Sequence, residues 1–450
     1  MSKTLKIGLL LGTVLASLVG VSGDTQAQFS FFTARDPGVR GGDPGAGGPI
    51  GGLAADEFGY FNAGLEEFQE IEGVGNGLGP RFNLDSCVGC HSQPAAGGTS
   101  PDTNPQVAVA TAFGARNFVP SFITLNGPVR EVRFKYRPDG TRDGGVHALF
   151  VISGRRDPTG DASGCSAVQP DFGAELGRGN VTFRIPSPMF GAGLIEQIPD
   201  SAILANQVTN YLVKSYLGIS GRPNRNGNDG TVTRFGWKAQ NKSLLLFSGE
   251  AYNVEMGITS ELFPAERDDN PTCQISPHPN TVTPTNTTDT REAEVPISAI
   301  ERFAFFMRFL APPTPSTSSP GGSDSIARGK QLFTYIGCGL CHTPTLRTGN
   351  STVAALRNQE VNLYSDLLLH AMGPGLADDI VQGSARPDEF RTPPLWGLGQ
   401  RIFLLHDGRT TDLVTAIRAH RSAWSFRFGP SEANAGEYDK QHLLNFLRSL

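Results

Sequence analysis

The sequence has no run of lysine and arginine residues dense enough to neutralise a phosphate backbone or an anionic membrane surface. Its formal net charge is −5, and charged residues make up only 18% of its 450 residues. Without a basic patch, the electrostatic attraction that drives non-specific nucleic-acid binding is missing. We therefore expect no nucleic-acid partner.

Long apolar runs are also lacking. After the N-terminal region, no stretch approaches the roughly twenty apolar residues that a membrane-spanning helix requires. The N-terminus itself has a basic start at Lys3 and Lys6, an apolar stretch from Ile7 to Val21, and small residues up to Ala27. This order is typical of a secretory signal peptide, and we predict cleavage after Ala27. A membrane anchor is the alternative, but the apolar stretch is short for one. We expect a periplasmic mature protein without a membrane span.

Glycine and proline are frequent, at 55 and 32 residues. This composition predicts much ordered loop and few long helices. Loops of this kind suit the wrapping of a cofactor. The length exceeds that of a usual single domain, so we expect two principal lobes with insertions.

Cysteine is scarce, but its six residues are not scattered. Four of them form two copies of Cys-x-x-Cys-His, at Cys87, Cys90 and His91 and again at Cys338, Cys341 and His342. Two thiols one turn apart can each add to one vinyl group of a porphyrin, and the adjacent histidine then faces the iron as the proximal ligand. A thioredoxin-like pair would not need the histidine, and a shared zinc site would leave both histidines unexplained. The motifs predict two covalently bound haem c groups.

The two remaining cysteines, Cys165 and Cys273, are far apart in the sequence. In an oxidising compartment we expect them to form a disulfide, although two free thiols are the alternative. Closing so long a loop stabilises the fold by up to roughly 4 to 5 kcal/mol in the chain-entropy model.

The sequence contains an internal repeat on either side of a Pro/Ser/Gly-rich segment at residues 312–324. Arg184–Gly193 follows the first haem motif, and the similar Arg391–Gly399 follows the second. The repeat predicts a signal peptide (1–27), a first haem domain (28–311), a linker (312–324) and a second haem domain (325–450).

Periodic apolar residues predict helices before each motif, at 63–68 and 326–333, and at the C-terminus, from Glu437 to Leu450. A helix that runs into Cys-x-x-Cys-His and a closing C-terminal helix are typical of cytochrome c. The predicted fold is therefore mainly α, with tandem cytochrome c-like domains. An insertion at about residues 95–180 mixes strand-like runs, such as Val146–Ile152, with turns.

The chain resembles the bacterial di-haem oxidoreductases, which are relatives of the di-haem cytochrome c peroxidases. The resemblance extends over nearly all of the mature chain, and no single motif carries it. Five segments match motifs of that family: Phe82–Asn83, Gly191–Glu196, Arg234–Ala239, Glu255–Thr259 and Leu405–Arg409.

The resemblance implies roles for two residues of the first lobe. Trp237 matches a tryptophan that the peroxidases place between their haems, although a buried core tryptophan is the alternative. Glu255 resembles their catalytic glutamate, with Val254 displaced and a proline missing. A carboxylate above the iron can accept the first proton of a bound peroxide and return it to the leaving oxygen. A solvated loop carboxylate is the alternative for Glu255.

Two departures from the peroxidases concern the first haem. Their active-site glutamine falls on Phe247, which cannot hydrogen-bond a peroxide. Their capping histidine should lie shortly before Arg184, but residues 175–183 contain no histidine. Either the iron keeps an open position, or Met256 or His147 caps it. Core packing is the usual role of a lone methionine.

For the second haem, the resemblance implies an axial ligand near the end of the helix after Leu405–Arg409. His420 occupies that position, with His406 and His370 as competitors. Two histidine ligands saturate an iron and suit it to relaying electrons.

The sequence therefore predicts an oxidoreductase that reduces a small-molecule peroxide at haem 1 with electrons relayed through haem 2. The expected donor is a small protein of the cytochrome c or cupredoxin type. One alternative is a plain electron-transfer cytochrome with both irons six-coordinate. Another is a di-haem oxygenase or an oxidase that modifies another protein.

Overall fold

The computed structural model describes residues 32–142, 146–219, 221–282, 297–420 and 436–450. The predicted signal peptide and its cleavage site lie outside these ranges. Helices are the main regular structure, as predicted. The α-helices are α1 (Ala55–Gln69), α2 (Cys87–Cys90), α3 (Gln106–Val109), α4 (Phe172–Gly177), α5 (Ala192–Glu196), α6 (Asp200–Val208), α7 (Tyr211–Tyr216), α8 (Leu244–Ala251), α9 (Ala299–Phe309), α10 (Ser323–Tyr335), α11 (Leu413–Ala419) and α12 (Glu437–Ser449).

Strands are short and form small antiparallel sheets between the helices. β2 is paired on both sides, by β3 and β7, and the other pairs are β1 with β4, β5 with β6, β8 with β9, β10 with β11 and β12 with β13. The strands are β1 (Arg81–Phe82), β2 (Glu131–Phe134), β3 (Val146–His147), β4 (Phe150–Val151), β5 (Arg156–Asp157), β6 (Gly160–Asp161), β7 (Val181–Arg184), β8 (Asn224–Arg225), β9 (Val232–Thr233), β10 (Leu346–Arg347), β11 (Glu360–Val361), β12 (Leu369–Ala371) and β13 (Glu389–Arg391). Five of these strands, β2 to β6, lie within the predicted insertion at 95–180.

The helices were compared with the length and apolar character that a membrane span requires. Within the described ranges, no helix is both long enough and apolar enough to cross a bilayer.

The helix before the first haem motif crosses a later helix at very short range. A Cβ atom on Gly64 of α1 would lie only 2.2 Å from the carbonyl oxygen of Arg302 in α9. One turn further on, Phe68 stacks on Phe306 of α9, with 4.6 Å between ring centres. The same Phe68 ring lies edge-on to His91 at 6.3 Å. The close crossing thus buries an aromatic layer against the first motif.

The helix before the second haem motif repeats this arrangement. A Cβ atom on Gly329 of α10 would lie 2.0 Å from the carbonyl oxygen of His442 in α12. Phe333, four residues after the glycine, contacts Phe446 of α12 at 5.5 Å and His342 at 6.4 Å between ring centres. Each motif is therefore preceded by a helix with a glycine at a close helix crossing and, four residues later, a phenylalanine against the motif histidine.

The Pro/Ser/Gly-rich segment at 312–324 is attached at several points. Thr314 donates its backbone N–H to the carbonyl oxygen of Gly45 at 2.9 Å, and Ser316 donates to Ser449 at 2.7 Å. Helix α10 begins at Ser323, two residues before the predicted start of the second domain. Residues 312–322 of the segment are therefore non-helical, as their composition requires, but backbone hydrogen bonds attach them on two sides.

The first described residues contact the C-terminal part of the chain. Asp36 forms a salt bridge with Arg448 of α12 at 2.7 Å, and Arg40 donates its backbone N–H to Gly399 at 2.7 Å. The sequence assigned this segment to the first domain, whereas its contacts are with residues 325–450. Charge complementarity to α12 is not visible in a hydrophobic pattern, which is why the sequence missed it.

The predicted disulfide between Cys165 and Cys273 is present, so the alternative of two free thiols is wrong. Next to it, Ser166 donates its backbone N–H to the side chain of Thr272 at 2.9 Å. The covalent link joins the insertion to the segment that follows Glu255.

A buried group of three charges joins the region of the first haem motif to that of the second. The Asp378 carboxylate lies 2.6 Å from the Arg184 guanidinium and 3.0 Å from Lys238 Nζ, and the exposure of all three side chains is 3% or less. Burial raises the pKa of a carboxyl group, but these two cations outweigh it and lower the pKa of Asp378. One carboxylate thus pairs with two cations that precede it by well over a hundred residues.

We expect Asp378→Asn to lower the free energy of unfolding by about 3 to 5 kcal/mol, the usual cost of breaking a buried ion pair from one side. Arg184 and Lys238 would lose the carboxylate that both of them contact. Urea denaturation followed by circular dichroism measures the change.

Asp379→Asn is the matched control. Its carboxylate is 40% exposed and pairs with Lys135 at 2.9 Å, so the loss should stay below about 1 kcal/mol. Asparagine also tolerates the left-handed backbone of this position, where φ is 62°. Equal losses in the two variants would contradict the role of the buried group.

Candidate haem sites

The first Cys-x-x-Cys-His motif forms one helical turn. Cys87 and Cys90 begin and end α2, and His91 follows directly. His91 Nδ1 lies 3.0 Å from the carbonyl oxygen of Gly98. This hydrogen bond places the ring proton on Nδ1 and leaves Nε2 as the free donor atom for a metal. Burial lowers the pKa of His91 to about 4, so the ring is neutral, as an iron ligand must be.

A cavity of about 180 Å³ opens beside this motif. The residues singled out from the sequence for the first haem meet in its wall: Cys87, Cys90, His91, Trp237, Phe247, Glu255 and Met256. Among the described residues that line it, His91 is the one histidine.

Several buried polar atoms of the cavity wall have no partner in the described part of the chain. They are Ser86 Oγ, Arg130 Nε, Arg234 Nε and Gln240 Oε1. Unpaired buried polar groups are costly, and haem propionates could accept hydrogen bonds from the arginines. The cavity, its thiols and its free imidazole nitrogen therefore fit a covalently bound haem.

Glu255 lies in this cavity on a π-helical turn, Tyr252–Met256, which continues α8. Asn83 donates from Nδ2 to the Glu255 carboxylate at 2.6 Å, and its backbone N–H donates to the Glu255 carbonyl oxygen at 2.7 Å. The next residue, Gly257, has a φ of 77°, and a Cβ atom there would lie 2.5 Å from the carbonyl oxygen of Gly79. The position of Glu255 is therefore set by backbone contacts on both sides.

Glu255 shares a hydrogen bond with a second carboxyl group, that of Glu131. Burial and the negative charge of Glu131 raise the pKa of Glu255 to about 8. Burial acts in the same direction on Glu131, but Arg133, at 2.5 Å, and Arg184 lower its pKa. At neutral pH the pair therefore holds one proton, carried by Glu255, and one negative charge, on Glu131.

The sequence analysis missed Glu131, although a signal was present. Glu131 and Arg133 flank Val132 in β2, and alternate residues of a strand share a face. Two opposite charges on one face of a short, paired strand indicate a polar wall rather than solvent. The pairing of β2 with β7, which brings Arg184 to the same cavity, could not be read from the sequence.

Trp237 lines the cavity and is half-buried. Its Nε1–H donates to the carbonyl oxygen of Ile185 at 2.9 Å. Phe247, at the position of the peroxidase glutamine, stacks against Phe235 at 6.2 Å between ring centres and forms an apolar part of the wall. Gln240 was not singled out from the sequence. Its side-chain amide oxygen has no hydrogen-bond partner and lies in the same wall.

Met256 is buried, and its Sδ lies 3.9 Å from Cys87 Sγ. In a bound haem c, Cys87 Sγ would be attached to the edge of the porphyrin. The contact with this atom therefore favours packing of Met256 at the ring edge over ligation of the iron. The side chain of His147, the other candidate cap, lies outside the described part of the structure.

At the second motif, His342 and His420 face each other. Their ring centres are 6.5 Å apart. Two imidazoles bound to opposite sides of one metal, each through a bond of about 2 Å, have ring centres roughly 6 Å apart. His342 Nδ1 lies 3.0 Å from Tyr364 O and His420 Nδ1 lies 2.8 Å from Ala416 O, which leaves both Nε2 atoms free. Burial lowers the pKa of both rings, that of His342 to about 4. The pair fits an axial ligand set.

The competing histidines have other partners. His370 Nε2 lies 2.8 Å from the Asp366 carboxylate, and Nδ1 lies 3.8 Å from Cys341 Sγ. Burial lowers the pKa of His370, but Asp366 outweighs it and raises the pKa to about 10, so the ring carries a proton on each nitrogen. His406 stacks on Phe390 at 4.2 Å. His370 therefore has no free ring nitrogen, and the ring contacts of His406 are with Phe390 and Trp237.

Two further polar residues of this part of the molecule are the buried arginines Arg391 and Arg401. Burial lowers the pKa of each to about 10. Within the described ranges neither forms a salt bridge with a carboxylate. An acidic group of a bound cofactor, such as a propionate, would supply the missing counter-charge.

Comparison with known proteins identifies one matching family. A family profile described as "Di-haem oxidoreductase, putative peroxidase" matches residues 135–450, more than two thirds of the chain. The match contains the second motif and begins after the first. No curated protein matches the chain.

The solved structures that are similar to the chain include two at low identity. One is hydrazine synthase of Kuenenia stuttgartiensis, at 17% identity and a TM-score of 0.24, over 36% of this chain and 59% of that one. The other is a MauG-like protein associated with microbial copper homeostasis, at 18% identity and a TM-score of 0.25, over 51% of this chain and 77% of that one. This chain therefore spans under two thirds of the hydrazine synthase chain. Similarity at these TM-scores supports no inference about function.

We expect mass spectrometry of the denatured mature protein to show two haem additions. The reason is that each motif has both thiols and a histidine with a free Nε2. Replacing Cys87 and Cys90 together by alanine should remove one addition. A single addition in the unaltered protein would contradict the two-site interpretation.

His420→Ala should convert one low-spin haem to a high-spin haem, because it removes the ring opposite His342. Electron paramagnetic resonance of the oxidised protein measures the spin state. His370→Ala is the control, and it should keep the low-spin signal. Conversion by His370→Ala alone would reassign the ligand.

Proposed function

Because the chain belongs to the di-haem oxidoreductase family, we propose that it is a periplasmic enzyme that reduces a peroxide beside His91, with electrons relayed through the second haem site. Membership of the family implies haem cofactors and redox chemistry. Covalent attachment, the peroxide substrate and the division of labour between the sites are parts of the proposal.

One observation carries the proposal. The hydrogen-bonded carboxyl pair of Glu131 and Glu255 stands in the wall of the cavity that also contains His91. A pair that holds one proton has an acid and a base side by side, as peroxide cleavage requires. A plain electron carrier has no use for such a pair beside an open cavity.

When bound, the haems would supply the one-electron chemistry of iron. Reduction of one peroxide to two water molecules takes up two electrons and two protons. The ionised Glu131 accepts the proton of the incoming peroxide, and Glu255 donates its proton to the oxygen that leaves. Both protons that the reduction takes up come from solvent, and transfer of the proton gained by Glu131 to Glu255 returns the pair to its starting state.

Other residues of the cavity orient this pair and the substrate. Arg133 keeps Glu131 ionised, and Asn83 holds the Glu255 carboxyl through its side-chain amide. Gln240 has an unpaired amide oxygen in the wall and can accept a hydrogen bond from a peroxide O–H. It would take over the task that Phe247 cannot perform.

In this proposal the second site is the relay. His342 and His420 would both hold the haem iron there, which would leave no open position for a substrate. Electrons enter from a small donor protein of the cytochrome c or cupredoxin type. The repeated glycine-phenylalanine-histidine arrangement supports two tandem cytochrome c-like domains, one for each site.

A periplasmic location is supported by two features. The N-terminal signal pattern ends at Ala27, and the Cys165–Cys273 disulfide suits an oxidising compartment. The rival functions, a plain electron carrier and a di-haem oxygenase or protein-modifying oxidase, differ in measurable ways. Carbon monoxide binding by the reduced protein excludes the carrier, and turnover of hydrogen peroxide separates the other two.

Glu255→Gln should lower kcat/KM for hydrogen peroxide by about a hundredfold or more, the usual scale for removing a general acid/base. Both haem spectra and the reduction by the donor should stay unchanged, because Glu255 does not ligate iron. Stopped-flow kinetics measures the loss. Glu66→Gln, on the exposed face of α1, is the matched control and should retain full turnover. Full turnover by Glu255→Gln would refute the assignment.

Peroxide turnover should fall as the pH rises through about 8. Above the raised pKa of Glu255 the pair loses its shared proton, and no acid remains for the leaving oxygen. The pH profile of kcat shows this limb. The residual activity of Glu255→Gln should lack it, since glutamine does not titrate. An alkaline limb that persists in this variant would assign the ionisation to another group.

A further inference from the structure

We infer that Trp237, His406, Phe390 and His370 form a contact route for electrons between the first cavity and Cys341 of the second motif. The inference rests on the proposed function, because it assumes that both motifs carry haem. The four side chains come from separate segments, and each step of the route is a contact in the structure.

The first step leads from Trp237 to His406. Trp237 forms part of the wall of the first cavity, and its ring centre lies 6.4 Å from that of His406, in an edge-to-face arrangement. The backbone of Ile185 forms hydrogen bonds with both residues. Its carbonyl oxygen accepts from Trp237 Nε1 at 2.9 Å, and its N–H donates to His406 O at 2.8 Å.

The second step leads from His406 to Phe390. The two rings stack with 4.2 Å between centres and an interplanar angle of 24°. Lys238 Nζ lies 4.2 Å from the centre of the Phe390 ring. Burial lowers the pKa of His406 to about 4, so its stacked ring is uncharged. Phe390 therefore lies between a neutral ring and a cation.

The third step leads from Phe390 to His370. These residues are direct partners in the antiparallel pair of β12 and β13. Opposite residues project from the same face of a sheet, with Cβ atoms about 4.5 to 5.5 Å apart. Asp366 and Gly221 hold His370 in place: the carboxylate lies 2.8 Å from Nε2, and a Cβ atom on Gly221 would lie 2.9 Å from Cε1.

The last step leads from His370 to the second motif. His370 Nδ1 lies 3.8 Å from Cys341 Sγ, the sulfur that would be bonded to the porphyrin. The route therefore ends at the covalent edge of the haem rather than at its iron. His370 therefore contacts the second motif through Cys341 and not through the axial histidine positions.

The route carries one electron at a time. With both haems bound, the external donor protein would supply one electron at the second site. That electron would pass on to the first site, so one haem would be oxidised as the other is reduced. No atom or proton moves along the four side chains. Each side chain keeps its closed-shell state before and after the step, so no further oxidant or reductant is needed.

The test measures the internal electron-transfer rate in the haem-loaded protein without peroxide. Reduced methyl viologen radical, generated by pulse radiolysis, reduces haem 2, and absorbance follows the electron to haem 1. Phe390→Leu and His406→Leu should each slow this step about tenfold or more. Spectroelectrochemical titration should show unchanged reduction potentials for both haems, because a route residue alters the path and not the driving force.

Two further variants make the test specific. His406→Phe restores a ring that can stack on Phe390, and its rate should return close to that of the unaltered protein. Phe446→Leu, which removes a buried ring beside the second motif but off the route, should leave the rate within about twofold. If Phe390→Leu fails to bind haem, the comparison of His406→Leu with His406→Phe decides alone.

The route is wrong if both leucine variants transfer electrons as fast as the unaltered protein, or if His406→Phe is as slow as His406→Leu. The proposed function fails separately. A protein with a route-dependent internal rate but no peroxide turnover would keep this inference and lose the peroxidase assignment.

Discussion

The structure depends on the buried group formed by Asp378 with Arg184 and Lys238. Arg184 ends β7 and continues into the first copy of the repeat, Lys238 follows Trp237, and Asp378 lies between the second motif and the second copy. Three charges buried this deeply are stable only together. They fix which parts of the two haem regions lie next to each other, whereas apolar packing alone would tolerate sliding.

The same group organises the first cavity and its connection to the second. Besides Asp378, the Lys238 ammonium contacts the carbonyl oxygens of Arg386, Pro387 and Glu389, so the segment that contains Phe390 is held against Trp237. Arg184 lies close enough to Glu131 to lower its pKa. The ion group therefore acts at once on the fold, on the charge of the carboxyl pair and on the ring contacts between the sites.

Much of the fold could be predicted from local patterns. Helices α1, α10 and α12 were expected from apolar periodicity, because an amphipathic helix repeats its buried face every three or four residues. The disulfide followed from cysteine count and compartment. Helix α9 was not predicted, although its crossing with α1 repeats that of α12 with α10. The contacts of residues 34–40 were missed as well, since they depend on distant charged partners.

By itself, the sequence determined the chemistry that is written in short, contiguous motifs: two pairs of thiols, each with an adjacent imidazole, and an acidic side chain beside Met256. Spacing along a chain is enough there, because the reacting groups are held by one turn of backbone. Only the tertiary structure decided what surrounds them. It paired Glu255 with Glu131, set His420 across from His342 and engaged His370 and His406 elsewhere. These relations join residues up to 124 positions apart, and in a folded chain such distances are set by packing and by buried charge, which no local pattern records.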